Sequence, residues 1–362
     1  MAITYHSGRR IQATSTDFGD NGAGIPAVSG GWKEVARHTL GSNTNPILAS
    51  SIPDKKYYMV LYHTKHSSGS WNQPRIRFGN GSTDAGGNYA HRYSFDFGSD
   101  TATATNTYFL GWAADNDPNQ PLFGMFYATN ISNKEKLVIH NATDIDASGT
   151  TDAPRAFEQV AKWTNTSNVI DRIELNSASG SSNFTSGDEI VVLGWDPDDT
   201  HTTNFWEQLG TATANGSSNT LSTSITSKKY LWIQGYTENT SGSVCPRVGN
   251  SSLDSGSNYA TRLSSNGGSQ DVSTGATEIT GLTSTTPIFW NMFIKNISGD
   301  EKLIILHAVR QNTAGSSNAP NRVEIKSKWV NTSNQIDTIG FVSTTGGSTI
   351  NSNSFITVWG SN

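Results

Sequence analysis

Apolar and polar residues alternate with a period of two in short runs along the chain, as in Tyr57 to Tyr62, Leu137 to His140, Ile173 to Leu175 and Glu189 to Leu193. That period puts successive side chains on opposite faces of an extended strand. Clusters of Gly, Ser and Asn separate the runs, so the pattern predicts strands joined by tight turns. No stretch carries a convincing helical period. Ala153 to Val160 could be read as a short helix, but the matching Pro320 to Ile325 alternates like a strand, and strand is predicted for both. Around eight short strands per half argue an antiparallel sandwich of jelly-roll type, with an immunoglobulin-like topology as the runner-up.

The pattern occurs twice. Asn130 to Ile139 (NISNKEKLVI) answers to Asn296 to Ile305 (NISGDEKLII), and Ala161 to Asn168 (AKWTNTSN) to Ser327 to Asn334 (SKWVNTSN). Upstream, Lys55 to Val60 pairs with Lys228 to Ile233, Pro74-Arg75 with Pro246-Arg247, and Gly87 to Ala90 with Ser257 to Ala260. Such self-similarity marks tandem copies of one unit. The sequence therefore divides into an extended N-terminal arm at 1–30, one β-sandwich domain at 31–197 and a second at 204–362. The polar, proline-containing segment from Asp196 to Thr203 serves as linker. Glycines 19, 22, 24 and 30 keep the arm irregular, and an arm of this kind reaches onto a neighbouring subunit or frays.

Composition narrows the function classes. The net charge is −5, and no Lys/Arg run exceeds two residues, which excludes a nucleic-acid footprint. The single cysteine, Cys245, rules out an intrachain disulfide, so packing and ladders must hold the fold. Met1 to Arg10 is polar where a signal peptide needs an apolar run, and no segment reaches membrane-spanning length. Synthesis in the cytoplasm without a signal peptide, no membrane partner and no cofactor are expected.

Catalytic patterns are sparse. There is no nucleophile elbow, His-x-x-x-His pair or Cys/His cluster, and His307 stands one position beyond the counterpart of His140. Of the acids Asp144, Asp146, Asp171 and Glu174, only Asp171 has a counterpart, Asp337. An enzyme is not expected. Asp196, Asp198 and Asp199, and Asp115 with Asp117, are candidate oxygen ligands for a hard cation such as calcium, although each group also reads as turn aspartates beside a proline. Trp163 and Trp329 share one repeat position, and Trp32 and Trp206 another, as core residues would. Trp71 and Trp112 belong to the first copy only and are the candidates for exposed aromatics that stack on sugar rings. The Asn and Ser of the duplicated Lys-Trp-x-Asn-Thr-Ser-Asn segment are expected to set a turn through bonds to their own backbone.

The order of a Lys-Lys-Tyr strand, Gly-x-Asn-Tyr-Ala, Lys-Trp and a final alternating strand closed by Gly resembles tandem β-sandwich (jelly-roll-like) virion structural proteins of tailed phages and marine viruses. The resemblance spans residues 30–362 as two copies. It implies a structural role on the virion, as capsid decoration, turret or tail component, with assembly into homo-trimers and contact with other virion structural proteins. A carbohydrate-binding module pair recognising a host surface glycan is one alternative, and a double jelly-roll major capsid subunit is another.

Overall fold

The computed structural model describes residues 28–29, 31–67, 73–112, 120–178, 182–197, 199–201, 204–283 and 285–362. The chain is all-β. β1 (Val28–Ser29), at the end of the arm, pairs with β15 (Thr200–His201) in the linker. The first module contributes β2 (Lys33–Thr39), β3 (Ile47–Ser50), β4 (Tyr57–Thr64), β5 (Pro74–Asn80), β6 (Ser82–Thr83), β7 (Tyr89–Phe95), β8 (Thr101–Asn106), β9 (Phe109–Leu110), β10 (Leu122–Thr129), β11 (Lys136–Asp144), β12 (Arg155–Trp163), β13 (Arg172–Ser177) and β14 (Glu189–Trp195). The second contributes β16 (Glu207–Thr213), β17 (Thr220–Ser224), β18 (Tyr230–Thr237), β19 (Ser243–Gly249), β20 (Tyr259–Ser265), β21 (Asp271–Ala276), β22 (Leu282–Thr283), β23 (Ile288–Lys295), β24 (Lys302–Arg310), β25 (Asn321–Trp329), β26 (Thr338–Ser343) and β27 (Phe355–Ser361).

Each module is a sandwich of a large and a small antiparallel sheet, and every strand of a sheet comes from one copy. The large sheets run β2-β14-β4-β10-β11-β12-β7-β8 and β16-β27-β18-β23-β24-β25-β20-β21, an identical order once the copies are aligned. The small sheets follow β3-β13-β5-β6 and β17-β26-β19-β22, with β9 added beside β5. First strand pairs with last (β2 with β14) and second with second last (β3 with β13), the nested wrapping of a rolled hairpin. The strand estimate was low because two-residue strands such as β6 and β9 are too short to show a period. Arg155 to Trp163 is a strand, as the alternation of its copy implied.

The duplicated motifs fasten equivalent corners. Asp84 accepts from Gly86 N (2.8 Å), Asn88 Nδ2 (2.9 Å) and Trp163 Nε1 (2.8 Å), and Asp254 does the same for Gly256, Asn258 and Trp329. Tyr89 and Tyr259 then donate to the carbonyls of Phe78 and Val248. Asn130 and Asn296 are buried and accept from Ile170 N and Ile336 N, both at 2.7 Å. Buried Lys136 and Lys302 donate to loop carbonyls, among them those of Asn165 and Asn331. Asn165 Oδ1 accepts from Ser167 N and Asn168 N, the predicted backbone-bonded turn.

Inside the sandwiches the copies exchange large and small residues across one strand pair. In the first, Tyr62 of β4 stands opposite Gly124 of β10; in the second, Gly235 of β18 stands opposite Trp290 of β23. A Cβ on Gly124 would lie 2.1 Å from the Tyr62 ring, and one on Gly235 2.5 Å from Phe341. Gly124→Ala is expected to destabilise the first module by about 1–3 kcal/mol through overpacking, read as a lower urea midpoint. Tyr62→Leu in the same chain should recover part of the loss, and strict additivity of the two substitutions would refute the exchange.

Candidate interaction surface

Alternation leaves each large sheet with an outer face, and in both copies much of that face is apolar. Met59 and Leu61 of β4, Phe123 and Met125 of β10, and Val191 and Leu193 of β14 point away from the first sandwich core yet are at most 5% exposed. They form one cluster with Phe205 and Trp206 at the start of the second module and with Tyr230, Phe293, Leu303 and Ile305 from its outer face. The modules thus stack large sheet on large sheet. Trp32, Trp232 and Trp359 pack at the margin, where Trp232 stacks on Phe293 with centroids 5.7 Å apart.

A polar seam borders this cluster. Lys326, fully buried, donates to Asn141 Oδ1 (3.0 Å) and to Glu158 (3.3 Å). Lys328, also buried, donates to the carbonyls of Ile145 (2.9 Å) and Ala147, while Glu301 accepts from Gly149 N at 2.7 Å. Arg262 donates to the Pro154 carbonyl at 2.9 Å and lies 3.3 Å from Asp96. Asp300 bridges Lys65 of the first module and buried Lys295 of the second. On the opposite side Glu189 takes Arg37 at 3.0 Å, Lys229 at 3.2 Å and the Tyr230 hydroxyl at 2.9 Å. His63 Nδ1 lies 2.9 Å from that hydroxyl, and Nε2 bonds the Gly187 carbonyl at 3.0 Å.

Burial and pairing set the charge states. Burial works against the Glu158 and Glu189 carboxylates. Lys326 and His307 nevertheless hold Glu158 at about 2, and the Thr39 bond, His63, Arg37 and Lys229 hold Glu189 at about 2. Burial pushes His63 and His140 down to about 3 and His66 to about 4. Inside the first sandwich the Tyr62 hydroxyl meets His140 Nε2 at 2.8 Å and donates to the Gly111 carbonyl at 2.7 Å. The second copy carries Gly235 and Leu306 at these two positions.

The anticipated site residues do not assemble a reaction centre. Trp112 is 0% exposed and packs edge-on against Phe95, so its face is closed to a sugar; this corrects the expectation of an exposed aromatic. Trp71, Asp115, Asp117 and Asp198 lie outside the described residues. Asp199 is ion-paired with Lys55, and Asp196 accepts from Lys56 N at 2.7 Å, so these carboxylates tie the linker to the start of β4. Asp146 pairs with Arg155, Asp171 with Arg172 and Glu174 with Arg77, on two different sheets. Asp144 stays buried and is raised to about 7 by burial. No group of three or more metal-ligating side chains occurs among the described residues.

Part of the outer face is left open. On the first module a concave hollow of about 870 Å³ is walled by Trp32, Tyr127, Leu137, Ile139 and Val160, with Lys162 at its rim. Its walls are mainly apolar, with His91, Arg92, Thr103 and Thr129 among the polar residues that line it. On the second module Phe289, Val309 and Phe355 stand in the open, and Tyr236 stacks on Phe355. Lys295, Lys326 and Lys328 escaped sequence reasoning because an outward lysine on an alternating strand reads as a solvated face. The buried second layer became visible only once the sheets were stacked.

Two measurements probe this stacking. Lys326→Ala is expected to cost about 2–4 kcal/mol, since it strips a partly buried carboxylate of its cation, and to loosen the modules so that urea unfolding broadens or splits. An unchanged midpoint would show the seam to be idle. The depressed histidines His63, His66 and His140 all belong to the first module. Above about pH 6.5 they are neutral in both the folded and unfolded chains. As the pH falls below that value only the unfolded chain takes up protons, so their stabilisation drains away toward the folded values of about 3 to 4. In an Asp144→Asn, Asp188→Asn background, which removes the two buried acids that take up protons only in the folded first module over the same window, hydrogen exchange between about pH 7 and 4.5 should lose protection in β4 and β11 before β18 and β24. The reverse order would contradict this assignment.

No protein-family model matches the chain, and no curated protein sequence matches it. Among solved structures it is similar to the mouse laminin alpha1 chain, domains LG4-5, at 12% identity over 93% of this chain and 91% of that one, with a TM-score of 0.19. It is also similar to human GIVD cytosolic phospholipase A2 at 8% identity, over 76% of this chain and 33% of that one, with a TM-score of 0.13. Overlaps this loose carry no argument about function.

Proposed function

We propose that this chain is a non-catalytic structural protein of a virion, a capsid-decoration, turret or tail component that acts by self-association and display. One observation carries the reading: the eight large apolar side chains that stand exposed among the described residues all lie on the outer faces of the two large sheets. Contiguous apolar surface of that kind marks an association site. The acids Asp146, Asp171, Glu174, Asp196 and Asp199 are held in ion pairs with neighbouring Arg and Lys residues, which favours surface as the working part of the molecule. Assembly into a homo-trimer, contact with other virion structural proteins and residence on the particle belong to the same proposal.

Two measurements test it. Sedimentation and light scattering at about 100 μM should find a discrete homo-oligomer, with three chains expected, and a strict monomer would overturn the self-association. Gold-labelled antibody on purified particles should decorate their surface or tail, whereas absence of the chain from particles would overturn the virion role.

A further inference from the structure

The ladders match every outer-face position of one module to a position of the other. Tyr127, Leu137 and Ile139 correspond to Phe293, Leu303 and Ile305, because Lys136 opposite Trp163 and Lys302 opposite Trp329 start identical ladders. The first three are 37%, 56% and 61% exposed, while their counterparts are at most 4% exposed. The other half of the face shows the reverse. Phe289, Val309 and Phe355 are 44–47% exposed, while their counterparts Phe123, Thr143 and Glu189 are at most 1% exposed. Each module therefore has one half-face covered by its partner and one half-face bare, and the bare halves are opposite ones.

We propose that the two bare halves are the two sides of a contact between copies of this chain. The module 1 hollow of one chain receives the Phe289–Val309–Phe355 strip of module 2 of the next. The proposal rests on the self-association reading and specifies its geometry. Within the chain, the half-face around Phe123 on module 1 takes the half-face around Leu303 on module 2. Between chains the same two positions meet with the modules exchanged, so the contact continues an interface the fold already forms.

Sequence differences on the two sides fit the exchange. In the internal contact Tyr230 meets the polar pair His63 and Glu189. The counterpart of Tyr230 is Tyr57, and those of His63 and Glu189 are Tyr236 and Phe355, so the external version becomes wholly aromatic. Val160 stands where the internal contact has Lys326, so the external version sets an apolar side chain against Glu324 and forms without that lysine's bonds. At His63, Glu189 and Lys326 the bare counterparts Tyr236, Phe355 and Val160 are the more apolar, while beside the strip Gln234, Asn291 and Thr357 stand where the covered face has Leu61, Met125 and Val191. The contact joins unlike patches, so it is heterologous and propagates head to tail until it closes, which a ring of three chains would do.

Ile139→Glu and Phe289→Glu, both at exposed positions, test this by light scattering, with circular dichroism confirming that each variant is folded. The wild type should assemble, and each variant alone should lose the assembled species. An equimolar mixture of the two should regain a two-chain species, because each supplies the half-face that the other lacks. If Phe289→Glu assembles like the wild type while Ile139→Glu does not, the contact is like-to-like and the proposal fails. If both variants assemble normally, self-association survives but not at this site. A monomeric wild type would overturn the proposal together with the self-association it rests on.

Discussion

A sheet that is apolar on both faces has to be covered twice, and that constraint organises this molecule. The small sheet covers the inner face of each large sheet, through residues such as Ile76, Phe78, Ile173 and Leu175 in the first module. Nothing within a module covers the outer face. Burying a side chain such as Leu61 or Phe123 there is worth roughly 1.5–3 kcal/mol, and only a second apolar sheet offers that burial across a broad area. The linker keeps such a sheet at hand, and the start of the second module adds Phe205 and Trp206 to the cluster.

Duplication solves the covering problem but also creates an ambiguity, since two copies of one face could stack in more than one way. The seam resolves it through residues that differ between the copies. Lys326 stands where the first module has Val160, and it reaches Asn141 and Glu158. The Asn141 position carries His307 in the second module, and that ring lies 3.7 Å from the same Glu158. Exchanging the modules would set Val160 against Glu324 and forfeit the bond. Inside the sandwiches, by contrast, the exchange of Tyr62 and Gly124 for Gly235 and Trp290 preserves volume and leaves the fold unchanged.

The strands, the duplication and the turn chemistry were legible in the sequence because they are local or repeated. Period two reports pleating directly, and comparison of the copies marked Trp163 with Trp329 and Asn130 with Asn296 as shared framework. The meaning of the outward positions was not legible. Leu137, Ile139 and Leu303 share one alternating pattern, yet Leu303 is buried and the other two are exposed, a difference set by how far the second sheet overlaps the first. Trp112 was misread for a related reason: its absence from the second copy suggested exposure, while the wrap of β7 and β12 brought Phe95 and Phe157 around its ring. Asp84 and Asp254, which receive three donors each, escaped notice because the glycine, asparagine and tryptophan that bond them are brought together only by the turn and the sheet.

The buried lysines explain why the stacking is particular rather than merely adhesive. Removing an ammonium group from water costs several kcal/mol, and pairing it at best offsets that cost, so hydrophobic replacements would serve stability as well or better. What Lys295, Lys326 and Lys328 do provide is a penalty for every other arrangement. Slide the sheets by one residue pair and Lys326 loses Asn141 and Glu158, Lys328 loses the carbonyls of Ile145 and Ala147, and Asp300 parts from Lys65. Apolar area alone would tolerate that slip, because Leu303 and Ile305 would still find apolar neighbours. The cations therefore fix the overlap at a partial one, and partial overlap is what leaves a half-face bare on each module.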